Sequence, residues 1–160
     1  MSVASSEILI DLPVAAAWEK LRDLSIAHAY VPNLTGVQFV GDQRTGVGTA
    51  RVVLSKNRPP MTETVVEWLE GTGFTLRLTN GEAPPAPFRE AAFTYRIEDA
   101  GQGRTRFLPS LTYTLPGGPL GAVLDALLFR RMMRAMTRQI AANLKGFYET
   151  GKPTNPDFPG

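Results

Sequence analysis

The chain has 160 residues, 43% of them hydrophobic and 20% charged, enough for one globular domain with a full core. Its net charge of +2 is too small to point to nucleic acid. There is no cysteine, which excludes disulfide frameworks, thiolate metal sites and cysteine nucleophiles, and which fits a reducing cytoplasm.

The opening residues, MSVASSEILIDL, lack the basic start and long apolar run of a signal peptide or anchor. No stretch reaches about eighteen uninterrupted apolar residues, so a cytoplasmic protein is expected. Residues 4–12 alternate, with Ile8, Ile10 and Leu12 on one side, and predict a first strand that ends at Pro13. Val14, Trp18 and Leu21 recur at helical spacing and predict a short helix to about Leu24. A second short helix or turn, SIAHAYVPN, stops at Pro32.

From Leu34 the period becomes that of strands. LTGVQFVGD, GTARVVLSKN, TETVVEWLEG, FTLRLTN, FREAAFTYRIED and RTRFLPSLTYTL predict a meander of six strands, separated by glycine- or proline-rich turns. Phe74, Leu76 and Leu78, then Phe93, Tyr95 and Ile97, then Phe107, Leu111 and Tyr113 alternate cleanly and should form a concave inner face. Pro109 cannot donate to a ladder and marks a bulge or unpaired spot in the last strand.

Pro119 to Thr150 reads as one helix of about thirty residues, roughly 45 Å long. Phe129, Met133, Met136, Ile140, Leu144 and Phe147 form its apolar stripe, continued upward by Ala122 and Ala126. Arg130, Arg131, Arg134, Arg138 and Lys145 lie on the side expected to meet water. Leu120, Val123, Leu124 and Leu127 continue that same side toward the N-terminus, as an apolar patch. The tail after Gly151 is expected to be loose or laid on the surface.

A helix this long needs a large apolar partner, and the chain offers only strands. The expected fold is therefore α+β: a seven-stranded curved antiparallel sheet wrapped around the long C-terminal helix, with two short helices after the first strand. Residues 1–150 would form one ligand-binding domain and 151–160 a tail. A sheet curled far enough to grip a helix leaves space between the layers, so a pocket is the first functional expectation.

Few side chains point to chemistry. His28 is the only histidine and has no ligand-spaced carboxylates beside it, so neither a metal nor a cofactor is expected. Glu63 and Glu67 share a strand face; they are either solvated, or one of them points inward as a base. Arg51 could likewise turn inward toward an acidic ligand head. Tyr30, Tyr95 and Tyr113 suit a pocket wall or the core equally, since each buries a ring and offers one hydroxyl. Met132, Met133 and Met136 read as core filling or as a pliable wall. No Ser-His-Asp assembly and no phosphate-binding glycine motif can be placed.

Three stretches, IDLPVAAAWEKLRDL, TETVVEWLEGTGFTLRL and GGPLGAVLDALLFRRMMRAMTRQIAANLKGFYETG, resemble the START-like or SRPBCC superfamily, and within it the polyketide cyclase/dehydrase and lipid-transport group. The resemblance covers about residues 5 to 150 and rests on packing motifs. It implies a helix-grip fold and a cavity for a lipid, sterol or polyketide-like molecule, held by a carrier without cofactor. The expected ligand-binding residues are Tyr30, Arg51, Phe74, Leu76, Leu78, Phe93, Tyr95, Leu111 and Tyr113, facing Met133, Met136 and Ile140. The alternative is a cyclase or dehydratase in which a tyrosine, Arg51 or Glu63 moves protons; an inward carboxylate paired with arginine or tyrosine would favour it. A third reading is an accessory protein that meets a membrane or a second copy through Leu120, Val123, Leu124 and Leu127 with Arg131, Arg134 and Arg138.

Overall fold

A computed structural model describes all 160 residues. Strands β1 (Ser2–Ser5) and β2 (Ile8–Ile10) lead into α1 (Val14–Leu21) and a 3₁₀ helix (Leu24–Ala29). Then come β3 (Leu34–Val40), β4 (Ala50–Ser55), β5 (Met61–Leu69), β6 (Gly73–Thr79), β7 (Glu90–Gly101), β8 (Arg104–Phe107) and β9 (Ser110–Thr114). The chain ends in α2 (Gly118–Leu124), a π-helical turn (Asp125–Phe129) and α3 (Arg130–Thr150), which run on without a break.

All pairings are antiparallel, in the order β1-β9-β7-β6-β5-β4-β3, with β2 on β8 and β8 on β7. The expected α+β arrangement holds, but the sheet has nine strands instead of seven, because the first and last strands each break in two. The breaks face one another: the Ser6 N–H donates to the Pro109 carbonyl across the gap at 3.1 Å. Pro109 has no N–H to give back, so the ladder cannot continue through it.

The three alternating strands do supply the inner face. Phe74, Leu76, Phe93, Tyr95, Ile97, Phe107, Leu111 and Tyr113 are all buried in one core with Trp18 and Leu21 of α1 and with Ile140, Ala141, Leu144 and Tyr148 of α3. α1 ends at Leu21, and Leu24 opens the 3₁₀ helix, where the Asp23 carboxylate accepts from the Ser25 N–H at 3.0 Å.

The long helix departs from a uniform 100° pattern. Ala122 and Ala126, expected to be buried, are exposed, while Asp125 is buried. The cause is the π turn, whose i→i+5 bonding spreads one turn over more residues and rotates the inward line. Past it, Thr137, Ile140, Ala141, Leu144 and Tyr148 are fully buried, whereas Phe129, Met133, Met136 and Phe147 of the expected stripe are only half-buried.

The C-terminal residues are not loose. The Thr154 and Asn155 N–H groups donate to the Ala29 carbonyl, and the buried Asn155 amide donates to the His28 and Leu34 carbonyls at 2.8 and 2.7 Å. No helix is long and apolar enough to cross a membrane.

Candidate functional site

β4 and β5 form a hairpin in which Arg51 stands opposite Glu63. Both point inward: Arg51 is 3% and Glu63 8% exposed. The Arg51 Nε donates to Glu63 Oε2 at 2.7 Å, and Nη2 lies 2.6 Å from the same oxygen. Nη1 donates to the Leu24 carbonyl at the start of the 3₁₀ helix. Burial pulls the guanidinium pKa down, but the Glu63 carboxylate outweighs it and the net shift is upward. The two side chains form a buried ion pair in which each charge offsets the other.

Glu67 goes the other way. The register shifts between Val65 and Glu67, and a bulge of one residue exchanges the two faces of the strand. Glu67 emerges outside, accepting from Thr75 Oγ1 and Arg96 Nη2, both at 3.1 Å. Of two glutamates that alternation places together, the bulge sends one to each side.

Two tyrosines, Tyr30 and Tyr95, lie near the inner pair, and a third, Tyr148, packs against Tyr30. Tyr30 follows the 3₁₀ helix, Tyr95 is on β7 and Tyr148 on α3, each at most 4% exposed. The Tyr30 and Tyr148 rings meet edge-on, with centroids 6.2 Å apart. Burial pushes the Tyr30 hydroxyl up to about 12, with Arg51 pulling against it. Burial also holds Tyr95 and Tyr148 well above the ordinary tyrosine value. All three are neutral donors at any physiological pH. The Tyr148 hydroxyl has no hydrogen-bond partner, and neither has the buried Thr49 Oγ1, two residues before Arg51 on the same side of the chain.

His28 lies at the edge of this cluster. Its pKa is lowered by burial first and by Arg51 as well, its Nδ1 has no partner, and its ring stacks on Phe158 at 5.1 Å. No cluster of histidines and carboxylates suited to a metal ion occurs.

Of the residues expected to bind a ligand, Tyr30, Arg51 and Tyr95 come together here. Leu78 stands opposite Glu63 across β5 and β6, while Phe74, Leu76, Phe93, Leu111 and Ile140 fill the core around them. Met133 and Met136 pack half-buried against that core, and Met132 faces water. Tyr113 belongs to a separate group: its hydroxyl donates to Asp125, which also accepts from Ser2 Oγ at 2.6 Å and Arg130 Nη2 at 3.2 Å. Tyr148 was missed in the sequence, where Phe147 took its place in the stripe. The signal was present, since Ile140, Ala141, Leu144 and Tyr148 follow a clean 1, 3, 4 spacing once the line is started from the C-terminal end.

Two depressions open on the outer surface, one of about 550 Å³ at the strand break by Ser6 and Leu108, the other of about 350 Å³ between Arg22, Phe39 and Arg44. Neither includes any of the residues expected to line the ligand space.

Residues 1–149 match the family described as polyketide cyclase / dehydrase and lipid transport. The chain belongs to this family. Solved structures repeat the architecture over nearly the whole chain. A protein of Nitrosospira multiformis, 12% identical, superposes with a TM-score of 0.68 over 94% of this chain and 98% of its own. DynU16, from the dynemicin biosynthetic locus, is 16% identical, with a TM-score of 0.66 over 99% of this chain and 51% of its own. Norcoclaurine synthase of Thalictrum flavum, 14% identical, gives 0.64 over 89% of this chain and 93% of its own. At these identities the likeness is one of fold. No curated protein matches the sequence. The interior of this polyketide cyclase/dehydrase-family chain holds a buried ion pair, Arg51 and Glu63, and three buried tyrosines, Tyr30, Tyr95 and Tyr148.

Proposed function

We propose that the chain binds a hydrophobic small molecule, lipid, sterol or polyketide-like, between the sheet and the C-terminal helix, and acts as its carrier or binding protein. The observation that carries this reading is the Tyr148 hydroxyl, buried beside Tyr30 and without a partner. A buried hydroxyl left unsatisfied costs about 1–3 kcal/mol, and a ligand oxygen that accepts from it would return that energy. Arg51 is already neutralised by Glu63, so the ligand group that fits here is an uncharged carbonyl or hydroxyl rather than a carboxylate. Leu78, Met133 and Met136, on the inward side, would take the apolar remainder, at about 25 cal/mol for each Å² buried.

One observation also supports a cyclase or dehydratase. An inward carboxylate, Glu63, is paired with arginine near two neutral tyrosines, Tyr30 and Tyr95, which is the pairing that general acid–base work on a carbonyl compound would use.

The test is native mass spectrometry of protein purified from its own host, followed by identification of what denaturation releases. A near-stoichiometric apolar compound bearing a carbonyl or hydroxyl is expected. A strongly anionic ligand would overturn the assignment of the polar end. Protein that is empty and fails to retain any lipid, sterol or polyketide offered to it would overturn the carrier reading and leave the enzyme.

A further inference from the structure

The N-terminal half of the long helix lies outside the ligand space and carries a second surface. α2 buries none of its own side chains, and the segment is held to the sheet by Asp125, through Ser2 and Tyr113. Outward stand Leu120 at 83% exposure, Leu127 at 68%, Val123 at 57% and Leu124 at 53%, with Leu128 and Met132 beside them about half exposed. Such a run of large aliphatics in water is costly, and its length along one helix makes it a contact surface rather than scattered exposure.

The charges around it indicate what it meets. Immediately after the apolar turns, Arg131, Arg134 and Arg138 are exposed and take no ion pair. From Gly118 to Tyr148 the only acidic residue is Asp125, which is buried and engaged. The helix therefore shows water an apolar band followed by a purely cationic one. A second copy is a poorer match: between Gly118 and Tyr148 the helix offers no exposed carboxylate to receive a partner's arginines.

We propose that α2 and the start of α3 dock on an anionic lipid surface, with Leu120, Val123, Leu124 and Leu127 entering the boundary between headgroups and acyl chains and Arg131, Arg134 and Arg138 meeting the phosphates. Acyl chains accept the leucines and headgroup phosphates accept the arginines, in the order in which the helix presents them. The segment lies flat on the surface.

The test is flotation of the purified chain with vesicles of phosphatidylcholine containing about one third phosphatidylglycerol, against pure phosphatidylcholine. The wild type should float with the anionic vesicles, and binding to pure phosphatidylcholine should be on the order of 100-fold weaker. Leu124→Glu with Leu127→Glu should abolish flotation without lowering the melting temperature, since both side chains are already exposed. Arg131→Gln, Arg134→Gln and Arg138→Gln together should erase the preference for anionic vesicles. Three results would overturn the proposal: wild type that stays unbound, a leucine double variant that floats normally, or a wild-type dimer in sedimentation that the same double variant dissociates. None of these depends on whether the interior holds a ligand.

Discussion

Arg51 on β4 and Glu63 on β5 face each other across a hairpin inside the protein, with Nη2 2.6 Å from the carboxylate and both side chains shut away from water. Burying two charges costs several kcal/mol, which their attraction and the bond to the Leu24 carbonyl offset. Removing one partner strands the other. Arg51→Met should therefore destabilise the fold by about 3–5 kcal/mol, while Arg51→Met combined with Glu63→Leu should recover most of that loss. Urea denaturation of the two single variants and the double variant measures the coupling. Strictly additive losses would mean that the pair does not act as a unit.

All four tyrosines of the chain are held above their ordinary range. Burial pushes Tyr30 and Tyr113 up to about 12, Tyr113 with the help of Asp125, and holds Tyr95 and Tyr148 well above 10.0. A group whose folded pKa exceeds its unfolded value contributes stability that is complete below the unfolded value and is lost as pH rises through the folded one. Stability should thus be level up to about pH 10 and fall steeply from there to about pH 12. Tyrosinate absorbance should stay absent through pH 10 and appear together with unfolding. A tyrosine that ionises near pH 10 while the circular dichroism is still native would contradict the burial of this cluster.

Tyr148→Phe removes a hydroxyl that has no partner, so the empty fold should lose nothing and could gain up to about 1 kcal/mol. Ligand binding should weaken by roughly tenfold, one hydrogen bond's worth. Thermal melting and ligand titration of the same preparation separate the two effects. A stability loss of more than about 1 kcal/mol would show that the hydroxyl bonds within the protein.

Gly73 begins β6 at a φ of +148°, pressed against the Tyr95 backbone; a Cβ there would lie 2.0 Å from the Tyr95 carbonyl oxygen. Gly73→Ala must move β7 away from β6 at the residue that carries one of the three inner tyrosines. The expected cost is about 2–4 kcal/mol, with weaker ligand binding as a second effect. A melting temperature within about a degree of wild type would mean that the strand ends are looser than this contact implies.

The layers of the fold were legible because its strands alternate and its helix is long. Phe93, Tyr95 and Ile97 announce their face by period alone, and Pro109 announces the break in the last strand. What alternation cannot carry is a change of phase. The bulge after Val65 turns Glu63 and Glu67 to opposite sides, and the π turn at Asp125 brings a carboxylate to the position where Ala122 and Ala126 were expected to lie buried. Both are single insertions in a regular ladder, set by tertiary contacts that no local spacing reports. Arg51 and Glu63 were legible one at a time, but their pairing depends on the hairpin register. Asn155 looked like tail until the carbonyls of His28 and Leu34 were there to receive it.

The most direct measurement is a methyl-resolved NMR titration of the whole chain with 2-naphthol, a rigid apolar ring bearing one hydroxyl. Binding inside should shift the Met133, Met136, Leu76 and Leu78 methyls and the Tyr148 ring, and Tyr148→Phe should weaken the titration. Shifts confined to Leu120, Val123, Leu124 and Leu127, with the inner methyls unmoved at saturation, would contradict a ligand site between sheet and helix.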